Sequence, residues 1–230
     1  MGGLSQWIQQ LEFGKLLEML ILVLASLFCI TIHETCHGLV AYWLGDDTAK
    51  RMGRLSLNPL RHIDIMGLVM MALLRFGWAK AVPVNMRRFR RPKIGMAVTA
   101  LAGPVSNLLV MVIAVFLKLF SLFGYYQTNY MILYYLVLFF DYVSLLSAGL
   151  AVFNLLPIPP LDGFKVLFAF LPDRIYEKAM RYEKFGMLLL MLLLVLGVLD
   201  APLYDLRNGL MDGVYMLAVP LFDCLFAGVL

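Results

Sequence analysis

Residues 16 to 44 form one apolar run whose only acidic, basic or imidazole side chains are Glu18, His33, Glu34 and His37. A helix needs roughly 20 such residues to cross a bilayer, so this run is long enough to span with some tilt. Further apolar runs at about 94–123, 131–155, 184–199 and 209–229 follow it. The last is interrupted by Asp212, Pro220 and Asp223. Composition agrees: 62% of the 230 residues are hydrophobic and 15% are charged, whereas soluble domains run at about half apolar and a quarter charged. The expected class is therefore an all-α polytopic membrane protein with about five to six transmembrane helices, and the lipid bilayer is its first partner. The N-terminus has no basic region and no small-residue cleavage site, so no cleavable signal peptide is expected.

The net charge of +4 gains meaning from its placement. Of 19 Lys and Arg, 11 fall between Lys50 and Lys93 and five between Lys165 and Lys184. Loops rich in Lys and Arg stay in the cytoplasm, which puts both regions on that side. The RRFRRPK run, residues 87–93, is read in the same way, and no nucleic-acid partner is expected. Between these cations, Ile65–Leu74 is too short to span and has basic flanks on both sides. It is expected to dip in from the cytoplasmic side as a re-entrant segment. The flanking stretches GRLSLNPL and GWAKAVPVN alternate and carry Pro and Gly, a pattern that suits short strands. A small membrane-associated β/re-entrant region is thus expected between the first two core helices. Cys29, Cys36 and Cys224 suggest packing residues and no disulfide framework.

The chemistry concentrates in ITIHETCHGLVAYW, residues 30–43. His33 and His37 stand four apart, so on a helix they project from one face one turn apart. Two imidazoles so placed can reach one tetrahedral zinc, and Glu34 beside them can take a proton from the attacking water. Ionisable side chains inside a membrane segment point to a functional cavity. A third ligand is needed, and FNLLPIPPLDGF, residues 153–164, offers Asp162. Three prolines end the preceding helix, Gly163 lets the chain turn, and the carboxylate would lie on the same side as His37. From position alone, Asp162 is equally an N-cap for the helix that follows. Cys36 lies close enough on the helix to approach a metal, with packing the plainer role. His62 is set outside the site. Asp141, midway along its helix, bonds a neighbouring helix or lines a water path.

HETCH in an apolar helix, AGPVSN at 102–107 and NLLPIPPLDG at 154–163 together resemble the site-2 protease family, the intramembrane zinc metalloproteases. The resemblance covers about 16–170 and is to the compact type without added soluble domains. It implies a protease core at 16–170; outside it, the residues themselves suggest an interfacial tail at 1–15 and a cytoplasmic connection with C-terminal transmembrane helices at 171–230. It further implies one Zn²⁺ per chain on His33, His37 and Asp162, Glu34 as general base, and Asn154 as a donor near the scissile carbonyl. Gly103 is read as a helix-packing residue, and Asn107 as packing or as an amide that orients the site. The implied substrates are transmembrane proteins or peptides. The expected location is a prokaryotic plasma membrane, and the charge placement puts the active site near the cytoplasmic face. Two rival readings use the same residues: a metal-ion transporter, or an inactive homologue that only binds transmembrane partners. The single depth of the polar residues and the lack of a repeat speak against transport. Glu34 beside the ligand set speaks against an inactive form.

Overall fold

A computed structural model describes residues 13–67 and 79–226. Among them, seven helices follow in order: α1 (Phe13–Trp43), α2 (Thr48–Arg51), α3 (Pro92–Thr128), α4 (Met131–Asn154), α5 (Asp162–Ala169), α6 (Asp173–Val195) and α7 (Asp200–Phe226). Short 3₁₀ turns stand at Pro59–Arg61 and Met86–Arg88. Helix α1 has 31 residues, α3 has 37 and α4 has 24. At 1.5 Å per residue each exceeds the roughly 30 Å of a bilayer's hydrocarbon core. These three are long and apolar enough to cross a membrane.

The expectation of five to six spans is corrected to three candidate spans among the described residues, or four if a bent pair counts as one. The apolar part of α6, Phe185–Val195, meets α7 at 86° across a short break. It is only about 16 Å long, too short to cross alone, and charged residues fill the first half of α6. The final segment departs from its reading in the other direction, since α7 continues through Asp212 and Pro220 without a break.

Helices α1, α3 and α4 share a core of Ala25, Cys29, Ala114 and Val143. Small residues make this close packing possible. Ser144, Ser147, Ala148 and Ala151 line the buried face of α4, and helices lacking bulk there can approach closely. Helix α7 packs on α3 and α4 around Met111, Val115, Ala148, Met211 and Ala218. Asp141 turns out to bond neighbouring helices. Lys118 Nζ donates to Asp141 Oδ1 at 2.6 Å and to the Tyr215 hydroxyl at 2.9 Å, tying α3, α4 and α7 together. The Lys118 and Asp141 charges thereby compensate each other, as a low-dielectric surrounding requires. The α3–α4 connection is tighter than expected: α3 runs on to Thr128, and Asn129 closes it with φ of 54°, its N–H bonded to Tyr125 O.

The expected strands are absent among the described residues. Residues 53–60 and 79–85 are extended or turning chain without a ladder. One backbone bond, Lys80 N–H to His62 O at 2.9 Å, joins the two regions. Other backbone groups there are met by side chains. Arg54 Nη2 donates to Lys80 O at 2.6 Å, and Asn85 N–H donates to Asp46 Oδ2 at 2.5 Å. Alternating hydrophobicity marked extended chain, but side-chain capping took the hydrogen bonds that a partner strand would have used. The proposed re-entrant segment at 65–74 lies outside the described residues from 68 onward, as does the N-terminal tail up to residue 12.

Buried Asp46 and half-buried Asp47 stand just past α1, and Arg88 reaches both, with its Nε 3.9 Å from Asp46 Oδ1 and Nη1 bonded to Asp47. Arg51 also pairs with Asp47, and its hydrogen bonds hold that carboxyl below the ordinary range. The end of α1 and the start of α3 are thus pinned together on one side.

Candidate metal centre

Helix α1 brings His33, Glu34 and His37 to its inner face, all buried at 6–9% exposure. After Asn154 the chain leaves α4 and passes Pro157, Pro159 and Pro160, which cannot extend a helical ladder. It folds back so that α5 begins at Asp162, with Leu161 as its N-cap. The open question over Asp162 is resolved against capping, since it is the first helical residue and its carboxylate faces the histidines.

This return needs Gly163, though not for a turn. A Cβ at Gly163 would stand 2.1 Å from Leu155 O and 2.7 Å from Leu156 O, so backbone packs directly on backbone. Leu161 then anchors the segment in a core with Leu190 and Leu199, which explains what the α6–α7 elbow contributes to the site.

Three ligand-type atoms converge. His33 Nε2 lies 3.0 Å from His37 Nε2, and Asp162 Oδ2 lies 3.3 Å and 3.1 Å from the two nitrogens. A tetrahedral zinc with bonds of about 2.0–2.1 Å spaces its ligands roughly 3.3 Å apart. The triangle therefore fits such an ion without moving a helix. It is the group of this kind found among the described residues. Cys36 contributes no atom to it.

Electrostatics favour a cation as well. His37 Nδ1 donates to Thr99 O at 2.7 Å, since a carbonyl only accepts. The lone pair of neutral His37 is therefore on Nε2 and points into the group, the arrangement that orients metal-binding imidazoles. Burial works against the Asp162 charge, and the Lys165 ammonium, 3.9 Å from its Oδ1, works for it.

Glu34 stands beside the triangle, its Oε2 accepting the Val82 N–H at 2.8 Å. The extended stretch at 79–85 is thereby tied to the site through main chain. Asn154 is placed differently from its expected role: its Nδ2 donates to Leu150 O of its own helix at 3.0 Å. His62 is buried with Nε2 on Ser56 O at 2.7 Å, a structural histidine of the loop.

Three contributors escaped the sequence reading. Gly103 is more than a helix-packing residue, for a Cβ there would lie 2.4 Å from His37 Nε2 and 2.6 Å from His33 Nε2. Thr99, one turn earlier on the same stripe of α3, offers its carbonyl to His37. The AGPVSN motif pointed to this face, and extending its four-residue spacing backward reaches Thr99. Val82 carried no signal at all, because its contribution is a backbone N–H.

The comparisons with known proteins agree with this geometry. The profile "Peptidase family M50" matches residues 20–197. The chain is 35% identical over 208 residues to "Putative zinc metalloprotease YwhC" of Bacillus subtilis (strain 168), covering 88% of this chain and 92% of that protein. It is 26% identical over 219 residues to "Putative zinc metalloprotease Rip2" of Mycolicibacterium smegmatis, covering 92% of this chain and 82% of the relative. No solved structure matches the chain. With a profile match running from α1 into α6 and including every residue of the His–His–Asp triangle, the chain belongs to peptidase family M50, the site-2 protease family of zinc metalloproteases.

Proposed function

We propose that this protease hydrolyses peptide bonds within or near transmembrane segments of membrane proteins, with one zinc on His33, His37 and Asp162. The observation that carries the reading is the buried triangle of ligand atoms, with the Glu34 carboxylate fixed beside it inside a membrane-length helix. When bound, zinc supplies Lewis acidity at the point where the three ligand atoms converge. Glu34 accepts a proton from the attacking water and passes it to the leaving amine nitrogen. Thr99 O keeps His37 in the tautomer whose Nε2 carries a lone pair. Asn154 donates to the developing oxyanion after its amide releases Leu150 O, a bond worth about 1 kcal/mol. A helical substrate hides its peptide groups and must be unwound before attack. The extended stretch at 80–85 is partly exposed and held to Glu34 through Val82, and an unwound substrate can pair with the part of its main chain that side chains leave open.

The test is a cleavage assay in detergent with transmembrane peptides, run with and without a zinc chelator alongside elemental analysis. One zinc per chain and chelator-sensitive cleavage are expected, and His33→Ala should lose most of the metal. Undiminished zinc in His33→Ala would overturn the assignment.

The active site is proposed to lie near the cytoplasmic face of a prokaryotic plasma membrane. The pairing of Arg88 with Asp46 and Asp47 supports Lys50 and Arg91 sharing one side, and the length of α3 supports Gln127 lying on the other. In a background without native cysteines, Lys50→Cys and Arg91→Cys should label from the cytoplasm and Gln127→Cys from outside. Labelling of 50 and 91 from opposite faces contradicts this arrangement.

A further inference from the structure

His37 and His33 differ in one respect that matters for a metal ligand. The Nδ1 of His37 has a partner in Thr99 O, whereas the Nδ1 of His33 is buried with none. Asn107, with 0% exposure, also has both its Nδ2 and its Oδ1 without a partner. Of six such orphaned side-chain atoms among the described residues, four belong to His33, Thr99 and Asn107. These are not scattered. Thr99, Gly103 and Asn107 recur every four residues and form one stripe of α3, and Gly103 in its middle faces the His33 ring.

Leaving a buried amide without hydrogen bonds costs about 1–3 kcal/mol, and orphaned groups of this kind are commonly satisfied by buried water. Asn107 is one turn, about 6 Å of rise, beyond Gly103. Its Cβ leans back toward the N-terminus of α3, hence toward Gly103 and the ring above it. No direct bond joins the amide to His33 Nδ1, and one water between them would satisfy both groups.

We propose that Asn107 is a positioning residue for His33, acting through one buried water that accepts the Nδ1 proton of His33 and donates to Asn107 Oδ1. The proposal rests on His33 being a zinc ligand. It gives His33 what Thr99 O gives His37: a fixed tautomer with the Nε2 lone pair directed into the triangle, and a ring held in orientation. Loss of such an outer partner lowers metal affinity about 10–100-fold.

The test measures zinc affinity of the purified full chain by competition with a chromophoric chelator, with thermal unfolding of the zinc-free protein measured in parallel. Asn107→Leu keeps the shape and removes both hydrogen-bonding groups, and should weaken zinc binding about 10–100-fold with little change in zinc-free unfolding. Asn107→Ser retains a hydroxyl and leaves room for water, and should recover most of that loss. Native affinity in Asn107→Leu overturns the proposal, as do equal losses in both variants accompanied by lower zinc-free stability. The native protein offers an independent check, in an experimental structure fine enough to show ordered water. A water within hydrogen-bond distance of both His33 Nδ1 and the Asn107 amide supports the proposal, and its absence there refutes it. His33→Ala separates the two layers. If it keeps its zinc, the metal assignment fails; if it loses zinc while Asn107→Leu binds normally, only the role of Asn107 fails.

Discussion

Glu34→Gln is expected to keep its zinc and to lose cleavage by at least about 10²–10⁴-fold, the contribution of general acid–base catalysis. The two parts of this result have separate causes. Glu34 is outside the ligand triangle, which is made by His33, His37 and Asp162. Its Oε2 is held by the Val82 N–H at 2.8 Å, and a glutamine oxygen can accept the same bond. The side chain should therefore stay in place while losing the ability to take up a proton. Single-turnover cleavage of a transmembrane peptide, with zinc measured on the same sample, gives both readings at once. A variant that cleaves at near-native rate removes Glu34 from the chemistry. A variant that sheds its zinc makes the carboxylate part of the metal site.

Gly103→Ala should weaken zinc binding by about 100-fold, at the upper end of what outer-shell changes produce, and cleavage should fall with it. The added methyl would lie 2.4 Å from His37 Nε2 and 2.6 Å from His33 Cε1, so something must move. The rings have little freedom to do so. His37 is fixed at Nδ1 by Thr99 O, and both Nε2 atoms are engaged with Asp162. Helix α3 must therefore retreat from α1, which stretches the Thr99–His37 bond, or the imidazoles must rotate out of the triangle. Either route damages the metal site with a substitution that raises helix propensity. Chelator competition with a circular dichroism spectrum of the same protein distinguishes this from unfolding. Unchanged zinc affinity with native helix content would show that α3 yields at no cost to the ligands.

These two residues also mark how far the sequence reaches. Glu34 was legible because its position beside the histidines depends on local geometry. A helix carries His33 and His37 to one face whatever surrounds it, and Glu34 is next to the first of them. The same holds for α1, α3 and α4, whose apolar lengths commit them to helix because a bilayer leaves backbone groups no other partner. Asp162 was legible only as a candidate: nothing local distinguished a ligand from a helix cap. Its assignment to the triangle needed the chain to fold back over the end of α4, with Gly163 packed on Leu155 and Leu161 anchored beside Leu190 and Leu199.

The sequence by itself determined the membrane class, the three long helices and the His–Glu–His face. Tertiary structure alone decided the rest. Gly103 acquired its role from which ring lies across the helix interface, and Val82 from a backbone N–H that has no residue type to read. The stretches at 53–60 and 79–85 looked like strands because alternation reports extended chain, while a ladder also requires a partner in register; here Arg54, Asp46 and Glu34 claimed those backbone groups instead. Apolar content likewise overstated the number of spans, because hydropathy along a segment does not reveal an 86° bend between α6 and α7. The physical division is between interactions set by neighbours along the chain, which residue spacing encodes, and contacts between distant segments, which exist only once the helices have packed.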